Sequence, residues 1–185
     1  MRNREAIAAL TISFILGRAV CNGQPTSDAS HQPTAAAVRA KIAFLAGSYV
    51  TATTLPPSSS MPKGATGKGT SLITWALDSM FLSIQEESLN SLLGQYKGYG
   101  MLGYDPQLHE FVLSMFNNFG DHPVYHGGFA GDTLILMTKV PAPKAPFDQK
   151  LLWYRDSGTV RLEVLNDMGK GLVPVLEQTA TPAPR

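Results

Sequence analysis

Cysteine is almost missing from this chain, with Cys21 the one thiol in 185 residues. A lone thiol excludes an internal disulfide framework and any metal site built from several thiolates. Charge of either sign is also scarce: 15 Lys plus Arg stand against 14 Asp plus Glu, and neither gathers into blocks. The sequence therefore carries no electrostatic footprint for nucleic acid or for an anionic bilayer. No apolar run reaches the length of a membrane-spanning helix, and no Gly-x-Ser-x-Gly turn occurs to present a nucleophile. What is there is 44% hydrophobic residues, enough to bury one core in a chain of one domain's length.

The first residues differ from the rest. "MRNR" supplies two positive charges, "AIAALTISFILG" is an apolar run too short to span a bilayer, and small residues follow. That order predicts a secretory signal over 1–21 and an exported protein, periplasmic or secreted. Arg18 and Val20 stand where a lipidation signal needs an apolar and a small residue, which disfavours a lipid anchor at Cys21. A polar spacer rich in Pro and Ser is expected over 22–33, the folded domain over 34–180, and a frayed tail over 181–185.

From residue 34, "TAAAVRAKIAFLAG" offers Thr34 as a helix N-cap, an Ala-rich interior and Gly47 as a stop, with Val38, Ile42 and Leu45 at helical spacing. After it the apolar period becomes two and stays so. Ten strands are expected, starting near residues 48, 69, 80, 96, 109, 124, 133, 148, 159 and 172. Asp78-Ser79, Asp105-Pro106, Gly131-Asp132 and Asp156-Ser157-Gly158 read as tight turns, so neighbours should pair antiparallel in chain order. "PPSSSMPKGATGKG" after 55, "NSLLGQ" after 89 and "PAPKAP" after 140 read as links at a rim.

A flat meander of that width would leave two long unpaired edges, and closure removes them. The expected fold is all-β: an antiparallel up-and-down barrel of about 8–10 strands, lipocalin-like, with the N-terminal helix capping one end. Barrels of this size either fill with side chains or hold one small ligand.

"LAGSYV", "WALDSMFLSIQEES", "GYGMLGYDPQLHEFVLSMFNNFGD" and "YHGGFAGDTLIL" together resemble the bacterial family called domain of unknown function 1579, over about residues 42–178. The most specific pieces are the Leu-Gly-Tyr-Asp-Pro turn at 102–106 and the Gly-Asp-Thr-Leu turn at 131–134. Tyr49 departs from the family's frequent Trp in the first strand. The resemblance implies a calycin-like barrel, often exported, with no established reaction.

Chemistry-bearing patterns are weak. His122 and His126 would sit roughly 13 Å apart on a strand, too far to chelate one ion, and Pro123 argues against a helix there. "KGATGKGTS" lacks the helix that a phosphate loop needs. No cofactor is implied. What remains is an aromatic and thioether lining: Trp75, Tyr99, Met101, Tyr104, Phe111, Met115 and Trp153 are candidate contacts for a small hydrophobic ligand. Tyr125, His126, Glu86 and Arg155 are candidate polar anchors, with Arg155 suited to a carboxylate head.

Gly98, Gly100 and Gly103 in one strand imply sharp coiling, or space left for that ligand. Val112 and Phe116 make the second face of their strand apolar, which implies a cover from the helix or from another copy of the chain. Three functions stay open: a binder of an apolar or amphipathic molecule, an interaction module with a filled barrel, and, least supported, an enzyme.

Overall fold

The computed structural model describes residues 33–59, 61–142 and 145–184. The expected signal and all of the spacer but Pro33 lie outside the described residues.

Thr34 caps helix α1 (Ala35–Ile42), its hydroxyl oxygen accepting a hydrogen bond from Ala37 N at 3.2 Å. A 3-10 turn, Ala43–Leu45, follows, and Gly47 begins the first strand rather than ending the helix. Ten strands then run β1 (Gly47–Leu55), β2 (Ala65–Ala76), β3 (Phe81–Asn90), β4 (Gly94–Asp105), β5 (Glu110–Asn117), β6 (Val124–Ala130), β7 (Thr133–Val140), β8 (Phe147–Asp156), β9 (Thr159–Asp167) and β10 (Leu172–Pro182). Each pairs antiparallel with the next, and β1 pairs with β10 from Tyr49 opposite Pro182 to Thr54 opposite Glu177, so the sheet closes on itself. The protein is a closed ten-stranded antiparallel β-barrel, as the period-two pattern predicted.

Several boundaries shift. β2 starts at Ala65, so the stretch expected as a rim loop gives its last residues to a strand. β10 reaches Pro182, two residues into the expected tail. At the β4–β5 turn, Asp105 Oδ1 accepts hydrogen bonds from Gln107 N at 2.7 Å and Leu108 N at 3.1 Å. His109 takes the left-handed backbone there with φ 57°, so β5 begins one residue later than expected. β10 tolerates Pro174 because the register with β9 shifts beside it, between Pro174 and Leu176.

The two ends of the barrel differ. One is plugged by the helix: Val38, Ile42 and Leu45 are buried and share a core with Leu82, Leu102 and Leu134. Tyr49 fixes that plug, its hydroxyl lying 3.1 Å from Leu45 O, 3.3 Å from Ala46 O and 3.4 Å from Phe44 O. Phe44 and Phe111 both meet the edge of Phe129 at the same end. The helix thus fills a mouth and leaves the outer face of β5 bare, where Phe116 is exposed opposite exposed Tyr99.

Candidate ligand-binding site

Strand alternation sends Thr51, Thr53 and Leu55 of β1 inward, with Ser71 and Ile73 of β2 and Ile84, Glu86, Ser88 and Asn90 of β3. In the plugged half these positions are aliphatic and packed. Toward the other end they turn small or polar, and a cavity of about 260 Å³ opens there. That is close to the ~300 Å³ lower bound of small-molecule sites. Its apolar wall is built by Leu113, Met115, Leu151, Trp153, Leu162 and Val164.

Two polar patches interrupt that wall. The first is satisfied: Tyr125 Oη donates to Gln149 Oε1 at 2.6 Å, and Gln149 Nε2 donates to Asn166 Oδ1 at 3.0 Å. The second lies on β1–β3, where Thr53, Ser88 and Asn90 line the cavity. The hydroxyl of Thr53, and those of Thr51 and Ser71 outside the lining, are buried without a hydrogen-bond partner. Such a group costs about 1–3 kcal/mol of desolvation when left unpaired. Ser71 stands directly opposite Glu86 in the ladder. Burial pushes the Glu86 carboxyl up to about 7. The Tyr96 phenol is also raised, by burial first and then by Glu86, Tyr125 and Asp121. Burial, then Asp121, pushes Tyr125 up to about 12.

The mouth is shaped by asparagines that serve their own loops. Asn90 Oδ1 accepts from Leu92 N and Leu93 N at 2.8 and 3.1 Å, and Asn117 Oδ1 accepts from Phe119 N and Asp121 N at 2.9 and 3.1 Å. These bonds hold Leu92, Leu93 and Phe119 exposed at the rim.

The candidate residues scatter over this frame. Met115 and Trp153 line the cavity, and Glu86 sits one inward position deeper than lining Ser88. Phe111 is buried at the plugged end with Tyr104 against its ring, and Trp75 packs on the same core. Tyr99 and Met101 lie on the outer face, where the Tyr99 hydroxyl reaches the Met101 sulfur at 3.6 Å. His126 is outside and exposed, its Nδ1 3.5 Å from Glu110 Oε2. Arg155 is exposed beside the helix, its guanidinium 6.0 Å from the centre of the Phe44 ring, so the carboxylate anchor expected of it is not in this cavity.

Thr51, Thr53, Ser71 and Gln149 were not anticipated. A signal for the first two exists in "SYVTATTL", where alternation puts Val50 outside and threonines within, the reverse of an ordinary half-buried strand.

Nor does the glycine-thinned strand leave empty space. A Cβ on Gly98 would meet the Tyr96 ring, one on Gly100 the Met115 sulfur, and one on Gly103 the Phe81 ring. Side chains from the same and adjacent strands pack directly on that backbone.

No family model matches the chain, and no curated protein matches it either. Among the described residues no helix is long and apolar enough to cross a membrane.

Proposed function

We propose that this is an exported, lipocalin-like protein of the domain of unknown function 1579 family that holds one small amphipathic molecule without transforming it. The observation that carries this reading is an apolar-walled cavity, open at one end, beside buried hydroxyls that lack partners. A well-packed structural barrel would have aliphatic side chains at those positions. The phenols of Tyr96 and Tyr125, which burial keeps protonated through neutral pH, would serve such a molecule as hydrogen-bond donors.

The test is native mass spectrometry of full-length protein purified from its own host. A co-purifying lipophile is the expected mass addition, together with an extracytoplasmic fraction shortened at the N-terminus. A bare mass under conditions that preserve complexes, with no change in tryptophan emission on adding apolar probes, would overturn the binding reading. A second reading, self-association, is favoured by the exposed cross-strand pair Tyr99 and Phe116 on the β4–β5 outer face. Sedimentation of the wild type and Phe116→Ser over a concentration series decides it.

A further inference from the structure

The cavity is polarised along its axis. At the rim stand exposed Leu93 and Phe119, the middle is the apolar wall around Met115 and Trp153, and the β1–β3 side carries Thr53, Ser88 and Asn90, with Glu86 at the next inward position of β3 and near enough to the lining Tyr96 to act on its phenol. An amphipathic molecule fits this order in one direction, with its polar head inward and its apolar tail toward the mouth.

The charge inside decides the head. Glu86 occupies an inward position between Ile84, which is fully buried, and Ser88, which lines the cavity. Facing it are Ser71 and Ile73 from β2, and Gly98 and Tyr96 from β4. Among the described residues Tyr125 of β6 and the rim carboxylate Asp121 also bear on this pocket, and both oppose further negative charge, while the Tyr49 phenol, on the strand beside Ser71, is turned to the carbonyls of the plug. Among the described residues no lysine or arginine relieves the desolvation of Glu86: Arg155 is at the plugged end and Lys97 pairs outside with Glu87 at 3.2 Å. A carboxylate head would meet repulsion here. An alcohol would leave the carboxyl uncompensated. A protonated amine brings both the missing charge and N–H donors, and Thr53 and Ser88 on the cavity lining supply hydroxyl acceptors for them.

We propose that the inner β1–β3 wall is a head-group site for an amphipathic primary amine, whose ammonium pairs with Glu86 and the adjacent hydroxyls while its tail lies along Met115 and Trp153. This rests on the binding reading above and names the ligand class for it. The alkyl ammonium keeps its proton to about pH 10, like lysine, so the pH dependence of binding belongs to Glu86. Preference for the amine is present when Glu86 is ionised, above about 7, and fades as the pH falls below that value.

The test compares octylamine, octanol and octanoate by tryptophan fluorescence and calorimetry, at pH 8.0 and pH 5.5, on full-length protein and on Glu86→Gln. Octylamine is expected to bind at least about tenfold more tightly than either competitor at pH 8.0, with the preference lost at pH 5.5 and in Glu86→Gln. Equal binding of all three, or a preference for octanoate, would overturn the head-group assignment and leave the cavity reading standing. Binding of none would overturn the cavity reading itself. Glu86→Asp, which keeps the charge, is the control for folding: it should retain part of the amine preference, and its failure to do so while folded counts against the charge pairing.

Discussion

The sulfur of Met115 lies where a Cβ on Gly100 would have to stand, and the two residues are direct partners across β4 and β5. The absence of a side chain on one strand therefore seats a flexible thioether from the next, at the wall of the cavity.

Gly100→Ala should consequently act on the cavity more than on the fold. The nearest obstacle is the movable end of Met115, which can swing inward, while the Ser114 carbonyl oxygen 3.1 Å away has to give only slightly, so the cost should be near the low end for overpacking, about 1 kcal/mol. The protein should melt within a few degrees of wild type while its affinity for apolar probes drops, because the displaced sulfur takes up ligand space. Unchanged affinity in a fluorescence titration would show that Met115 finds another berth.

Gly127→Ala should behave in the opposite way. A Cβ there would run into the carbonyl oxygen of Ile135 and the Cα of Leu136 on β7, and backbone in a ladder cannot swing aside. β6 is also held to β5 by only four residue pairs, Phe111–Gly127 to Ser114–Val124, so it has little register to spare. A loss of about 2–4 kcal/mol is expected. For a domain of this size that is roughly a 10 °C drop in melting temperature. Thermal melts of the two alanine variants side by side make the comparison.

The contrast between these glycines shows where a sequence stops being legible. Alternation and turn chemistry are local, so all ten strands and their order could be read from residues such as Asp156-Ser157-Gly158, where Ser157 and Gly158 both adopt positive φ. Closure followed from the cost of open edges. Which neighbour fills the gap at Gly100 depends on the register of a strand ten or more residues away, and no local pattern carries that. The same limit hid the site. Glu86, Met115 and Trp153 were singled out because of their chemistry, but Tyr99 and Met101 were as well, and only barrel curvature and register decided that the latter face outward. The hydroxyls of Thr51 and Ser71 matter because nothing bonds to them, a property of the folded interior alone.

Tyr49→Phe isolates the helix plug. The hydroxyl holds the carbonyls at the end of the 3-10 turn, with Leu45 O nearest at 3.1 Å. Removing it costs about 1 kcal/mol, and leaves those carbonyls short of a donor while the ring still packs. Amide exchange should quicken over residues 38–46 and stay unchanged in β7 and β8. Uniformly faster exchange would mean that the plug and the barrel open together.

The carboxyl of Glu86 makes stability depend on pH in a direction opposite to that of most acidic residues. Its folded value is raised from 4.5 to about 7, so between those two values the folded chain holds a proton that the unfolded chain has released. Stability is then full below about 4.5, falls as the pH rises, and levels off above about 7. At about 1.4 kcal/mol for each unit, the loss reaches on the order of 3 kcal/mol, less whatever water in the cavity returns to the ionised group. Glu86→Gln removes the ionisation and keeps the shape. It should be more stable than wild type at pH 8, match it near pH 4.5, and show a flatter profile between, as read by denaturant midpoints at a series of pH values. If wild type and variant run parallel across that window, the carboxyl is solvated in the folded state, and a ligand ammonium would gain little by meeting it.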